Sequence, residues 1–361
     1  MREILAEVVS AWRAGERAGL ATVVGAWSSA PRPVGAAMLV RADGSVAGSV
    51  SGGCVEGAVY ELCRTVGESR QPRLATFGVS DDDAFEVGLP CGGSIEVLVE
   101  PAGFAQLDPL TALVAAGTPV ALLTVVTGEA GRVGRHLVLT ATESDGSLGG
   151  DWAEAAAVAA ARRMLAAGET GVLRFEQMSV LVNSFPAPPR MLVFGATDHA
   201  AALARVGSFL GYRVTVGDAR AVFATPERFP DAVEVVVEWP HRYLEAEVRA
   251  GRVDARTVVC VLTHDAKFDV PVLDVALRLP LAYVGAMGSR RTQEDRLHRL
   301  RDTDLTDAQL GRLAAPAGLD LNARTPQETA VSVAAEILAV RGGSTGRRLS
   351  GLTGPIHRER L

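Results

Sequence analysis

Lysine is almost missing from this chain. Of its 36 basic residues only Lys267 is a lysine, and the rest are arginine. A P-loop needs a lysine after its second glycine, so phosphate binding of that kind is excluded. Schiff-base chemistry has one candidate at most. Cysteine is scarce too. Four cysteines in 361 residues (Cys54, Cys63, Cys91 and Cys260) cannot staple a fold of this size. None pairs as C-x-x-C, which argues against a structural zinc site. Aromatic residues make up only 5%. Uninterrupted apolar runs are also lacking. Every stretch of about 18 residues is broken by a charge, Gly or Pro, so no membrane span is expected. The opening Met1-Arg-Glu-Ile-Leu-Ala-Glu7 mixes acids with apolar residues at helical spacing, unlike a signal peptide. The expectation is a soluble, cytoplasmic protein. With a net charge of −6 and scattered arginines, no nucleic-acid footprint is visible.

What the chain does have is apolar residues, 48% of the total, enough for two buried cores. The fold class read from the pattern is α/β, in two parts. Residues 1–184 read as an α+β domain. An amphipathic helix reaches about Gly19, and short strands and glycine turns follow, including a hairpin around Ala42-Asp-Gly-Ser45. Its sheet is expected to be mixed or antiparallel, and no internal repeat is evident. Residues 185–190, with three prolines, form a stiff connector. Residues 191–341 alternate apolar strands with helices, the pattern of a Rossmann-like, doubly wound parallel sheet. Residues 342–361 are rich in Gly, Ser and Arg and read as a loose tail.

Five segments could carry chemistry. In Ser51-Gly52-Gly53-Cys54, a strand runs into two glycines and a helix begins. Glycine permits close backbone approach, and a helix start offers free N–H groups and favours a thiolate. Cys91-Gly92-Gly93 repeats the cysteine–glycine pairing, after an acidic run at Asp81-Asp-Asp83. No histidine lies nearby to complete a transition-metal set, so no metal is assigned. Gly195-Ala-Thr197 occupies the place of a dinucleotide fingerprint, and Asp218 stands where an acid would hold a ribose hydroxyl. Thr197, however, fills the place of the glycine that lets a pyrophosphate approach. Thr263-His264-Asp265 lies at the carboxyl end of an apolar strand, where open α/β sheets bind ligands. Its competing reading is a capped helix start. Gly288-Ser289-Arg290 opens an arginine-rich helix and could seat a phosphate, while Arg296 and Arg299 read as a solvated basic face. Cys63 and Cys260 lie in periodic apolar runs and read as packing.

Taken together, the motifs resemble those of the xanthine dehydrogenase accessory factors, the XdhC and CoxI-like family. The resemblance rests on Ser51-Gly-Gly-Cys54-Val-Glu56, the segment from Gly78 to Cys91-Gly-Gly93, Leu262-Thr-His-Asp265, Tyr283-Val-Gly-Ala-Met-Gly-Ser-Arg-Arg291 and Gly318-Leu-Asp-Leu-Asn-Ala-Arg-Thr-Pro326. It covers most of the chain and departs from the family pattern at Thr197 and Asp198. It implies an accessory factor more than a catalyst. Such a factor binds molybdenum cofactor, assists its sulfuration and passes it to a xanthine dehydrogenase or carbon monoxide dehydrogenase-type hydroxylase. A cysteine desulfurase is the implied sulfur source, and a homodimer is one arrangement open to it. The cofactor-binding residues implied are Ser51, Gly52, Gly53, Cys54, Cys91, Gly92, Gly93, Thr263, His264, Asp265, Gly288, Ser289 and Arg290. The alternative is an NAD(P)-dependent oxidoreductase with His264 as acid/base and Gly195, Thr197 and Asp218 at the nucleotide.

Overall fold

The computed structural model describes residues 1–27, 32–78, 93–129, 131–150, 152–353 and 356. The chain forms two compact units, Met1–Ala187 and Pro188–Thr353. No helix among the described residues is long and apolar enough to cross a membrane.

The first unit is built twice over. Helix α1 (Leu5–Arg13) is followed by β1 (Gly19–Trp27), β2 (Ala37–Val40), β3 (Val46–Gly48), α2 (Glu56–Ser69), β4 (Arg73–Gly78) and β5 (Ser94–Pro101). Helix α3 (Leu107–Ala115) opens the same series again: β6 (Val120–Thr127), β7 (His136–Leu139), β8 (Ser144–Gly146), α4 (Trp152–Ala167), β9 (Gly171–Arg174) and β10 (Ser179–Phe185). The two five-stranded sheets have the orders β3-β2-β1-β5-β4 and β8-β7-β6-β10-β9, the same topology. Every pairing in them is antiparallel, so of the two arrangements the sequence allowed the antiparallel one is observed. The repeat that the sequence did not reveal is therefore present in the tertiary structure. It escapes a search for matching residues because a strand needs only alternation, and many apolar residues satisfy it.

Alternation also explains the layering. Leu20, Leu39, Leu122 and Val138 point to one shared core with α1 and α3. Ala21, Val23, Met38, Val97 and Val99 point to the opposite face of the first sheet, which α2 covers with Val59, Cys63 and Val66. Helix α4 covers the second sheet in the same way through Ala153, Ala157, Ala161 and Leu165.

The second unit carries a parallel sheet of β11 (Arg190–Phe194), β12 (Arg213–Asp218), β13 (Glu234–Val237), β14 (Val258–Val261), β15 (Tyr283–Ala286) and β16 (Leu313–Ala314). Its order is β13-β12-β11-β14-β15-β16, the doubly wound order with a switch point between β11 and β14. Helices α5 (Asp198–Phe209) and α10 (Pro326–Arg341) cover one face. Helices α6 (Pro240–Arg249), α7 (Ala266–Arg278), α8 (Arg290–Arg301) and α9 (Asp307–Leu310) cover the other. Burial on both faces is why Met191 to Phe194 and Val258 to Val261 are apolar without alternation.

Candidate functional site

The loop from Ser49 to Val55 joins β3 to α2, and Glu56 is the first residue of that helix. Its carboxylate folds back over the loop. Oε1 accepts from the Ser49 hydroxyl at 2.6 Å and from the amides of Ser51 and Gly52, both at 2.9 Å. Oε2 accepts from the Ser51 hydroxyl at 2.5 Å and the Gly53 amide at 2.8 Å. Ser51 Oγ in turn accepts from the amides of Cys54 and Val55. Burial opposes ionisation of Glu56, but the hydroxyls of Ser49 and Ser51 and the loop amides outweigh it and hold the carboxyl at about 2.

This corrects one expectation. The N–H groups of Ser51, Gly52 and Gly53 are not free for a ligand, because Glu56 takes all three. Its negative charge also stands in the first turn of α2. Gly52 and Gly53 are needed for their φ values of +83° and +128°. Among the described residues a Cβ at either would meet nothing within 4 Å, so with respect to them the loop's outer face is open beside the half-buried Cys54. Cys63 and Cys260 are buried, as expected, and burial pushes both thiols up to about 12. Gly93 is buried just before β5. Cys91, Gly92 and the acidic run at Asp81–Asp83 lie outside the described residues.

The second half repeats the buckle. Glu154 Oε2 accepts from the Ser147 hydroxyl at 2.8 Å and the amides of Leu148, Gly149 and Gly150 at 2.7, 3.0 and 2.7 Å. Both loops share the spacing Ser-x-x-Gly-x-x-x-Glu, as Ser49…Gly52…Glu56 and Ser147…Gly150…Glu154. Two residues before each glutamate, the first loop has Cys54 and the second has Trp152. The buckle is therefore architecture common to both halves, and the thiol belongs to one. That spacing was the signal by which the repeat, and the part played by Glu56, could have been found in the sequence.

At the carboxyl edge of the parallel sheet, Gly195 has φ +114°, and a Cβ there would lie 2.7 Å from Thr263 Cγ2 and 2.9 Å from the Leu262 carbonyl carbon. Glycine here brings the ends of β11 and β14 together. Thr197 caps α5, its hydroxyl accepting from the Ala200 amide at 3.2 Å. Asp218 departs from its expected place on a ribose hydroxyl. It is buried and accepts from the Ala196 amide at 2.8 Å, the Arg220 amide at 2.9 Å, and Nε and Nη2 of Arg220 at 2.9 and 2.8 Å. Burial opposes its ionisation, but these bonds prevail and lower its pKa.

Thr263 donates to Asp269, and Arg296 Nη2 reaches Asp269 Oδ2 and the Met287 carbonyl, both at 2.9 Å. Burial raises the Asp269 pKa despite the hydrogen bond from Arg296. Arg296 therefore corrects the expectation of a solvated face: its side chain is 3% exposed and ties Asp269 of α7 to the Met287 carbonyl after β15. His264 and Asp265 are exposed. Asp265 caps α7 through the Lys267 amide and pairs with Lys267 Nζ at 3.0 Å. Ser289 caps α8 through the Thr292 amide, and Arg290 is exposed. Glu336 was not singled out in the sequence. It accepts from the Tyr283 hydroxyl at 2.6 Å and the Gly318 amide at 2.8 Å, which anchors the Gly318–Pro326 motif on α10. Among the described residues, no three His, Cys, Asp or Glu side chains converge as a metal site.

Known proteins resemble the whole chain. The structure of a xanthine dehydrogenase from Bacillus halodurans has a TM-score of 0.68 at 22% identity, covering 96% of this chain and 97% of that one, and so shares the fold. The molybdenum cofactor insertion chaperone PaoD of Escherichia coli is 28% identical over 94% of this chain and 88% of its own length. A probable subunit of xanthine dehydrogenase from Bacillus subtilis is 28% identical over 90% of this chain and 94% of its own length. The Escherichia coli protein YqeB is 26% identical over 91% of this chain, which spans only 44% of YqeB. The XdhC Rossmann domain model matches residues 191–337. The XdhC and CoxI family model matches residues 11–78 and 113–176, one stretch in each half of the first unit, and this chain belongs to that family of xanthine dehydrogenase accessory factors.

Proposed function

We propose that the protein is a molybdenum-cofactor chaperone, with the cofactor as its cargo and a molybdenum hydroxylase of the xanthine dehydrogenase or carbon monoxide dehydrogenase type as its client. The observation that carries this reading is Cys54: a half-buried thiol on a glycine loop that the described residues leave open, in a chain related to PaoD. A thiolate is a soft ligand suited to molybdenum. The loop amides do not suit the cofactor's phosphate, since Glu56 holds them. The fit therefore lies in the thiol and the open face. Glu56 fixes the loop, Gly52 and Gly53 leave room beside the sulfur, and Cys54 is the group offered to the metal. Cys91 is proposed as a second thiol of the same function. A cysteine desulfurase is the proposed partner for sulfuration of the cargo. We assign this work to the cytoplasm.

The experiment is co-purification with molybdenum cofactor. The unaltered chain retains it, Cys54→Ala loses most of it, and Cys63→Ala does not. Full retention and delivery by a Cys54→Ala, Cys91→Ala double variant would overturn the reading. The NAD(P)-dependent oxidoreductase is the weaker alternative, because Asp218 is buried under Arg220 and Thr197 is spent on capping α5.

A further inference from the structure

The ends of β11 and β12 border a cavity of about 380 Å³, in the range of small-ligand sites. Its walls include Ala196, Thr197, Asp198, Arg220, Phe223 and Arg228. None of the five sequence segments includes Phe223 or Arg228. Two guanidiniums lie near one half-exposed phenyl ring. Arg220 lies 4.7 Å from the Phe223 centroid and Arg228 lies 6.0 Å from it. Both are held in place. Asp218 accepts from Nε and Nη2 of Arg220, so Nη1 is the nitrogen this clamp does not use. Arg228 Nη1 donates to the carbonyls of Ala196 at 3.3 Å and Phe223 at 3.0 Å, and Nη2 pairs with the exposed Asp198 carboxylate at 3.4 Å, which a phosphate would have to displace.

We infer that this cavity binds a nucleoside phosphomonoester, with the phosphate on Arg220 and Arg228 and the base against the exposed part of the Phe223 ring. Three features of the site choose this chemistry. An acid at the end of the second strand of such a sheet ordinarily takes a ribose diol, whereas a nearby arginine takes a phosphate on that ribose. Here the acid, Asp218, is buried and the arginine lies across it, so recognition passes from hydroxyl to phosphate. Positive charge held at fixed positions by such clamps attracts a phosphate, and the guanidinium N–H groups the clamps do not use can donate to it. An aromatic face in a cavity offers a base a surface to stack on. A dinucleotide fits less well. Thr197 fills the N-cap where a pyrophosphate would approach, and the Asp198 carboxylate stands at the first helical position. The inference does not depend on the cofactor reading, since it uses no residue of the Cys54 loop.

Calorimetric titration of the full chain with adenosine 2′-monophosphate, adenosine 5′-monophosphate, adenosine and inorganic phosphate is the test. At least one monophosphate is expected to bind at least about tenfold more tightly than adenosine and than inorganic phosphate. Phe223→Ala and Arg228→Met should weaken it by a similar factor, with circular dichroism unchanged. Arg220→Ala is the less clean variant because it uncovers Asp218. Cys54→Ala should bind the monophosphate as the unaltered chain does, which separates this outcome from failure of the chaperone reading. The inference is overturned if no monophosphate binds, if adenosine binds equally well, if inorganic phosphate binds equally well and marks an anion site only, or if folded Phe223→Ala and Arg228→Met variants bind unchanged.

Discussion

Replacing Glu56 by Gln takes one carboxylate oxygen from a loop that uses both. If Oε1 becomes the amide nitrogen, the Ser49 hydroxyl and the amides of Ser51 and Gly52 lose their acceptor. If Oε2 does, only the Ser51 hydroxyl and the Gly53 amide lose theirs. The second arrangement is the cheaper one. At about 1 kcal/mol net per hydrogen bond, with water able to replace the partner of exposed Gly53, the cost is about 1–2 kcal/mol. The cost falls on the first half of the N-terminal unit, where it should appear as a lower urea midpoint for that unit's transition. Amide exchange of the peptide spanning residues 49–56 should quicken, and so should alkylation read at Cys54. Glu154→Gln disturbs the twin loop and should leave Cys54 alkylation untouched. If Glu56→Gln changes neither exchange nor the midpoint, the buckle does not hold the loop and the reasoning fails.

Further outcomes follow from the same structure. The Glu56 carboxyl is held at about 2, below its ordinary 4.5, so its contribution is fully present above about 4.5 and is lost as pH falls toward 2. After discounting for solvent screening this amounts to about 1–2 kcal/mol. A carboxyl-carbon titration by nuclear magnetic resonance with a midpoint near 4.5 would refute it. Mass mapping after alkylation of the native protein should find Cys54 labelled and Cys63 and Cys260 protected; labelling of the buried pair at the rate of Cys54 would contradict their burial. Gly195→Ala should destabilise the second unit by about 2 kcal/mol or more, since its Cβ would meet Thr263 and its φ is positive; an unchanged melting temperature would count against the close approach. Arg296→Met leaves Asp269 buried without its cation and should cost about 3–5 kcal/mol in denaturant unfolding, against well under 1 kcal/mol for a solvated arginine.

The sequence by itself determined the elements and the class of each half. Apolar runs without alternation specified strands buried on both faces, and Met191 to Phe194 and Val258 to Val261 are that. Short apolar runs between glycine turns specified the strands of the first half, and the burial of Cys63 and Cys260 followed from their apolar neighbours. The Cys54 loop was legible as a site because cysteine beside two glycines is not required by packing. These features are local, written within a few residues of where they act. Tertiary structure alone decided which polar groups are spent. Asp218 lies across Ala196 and beneath Arg220, Arg296 turns inward to Asp269 on another helix, and Glu56 answers amides that looked free. Each depends on where a carboxylate's partner arrives in space, and neither charge nor hydrophobic period encodes that. The duplication was hidden for the same reason. Two halves with the same strand order need share only alternation, turns and one Ser-x-x-Gly-x-x-x-Glu buckle, and the chain is free to vary everything else.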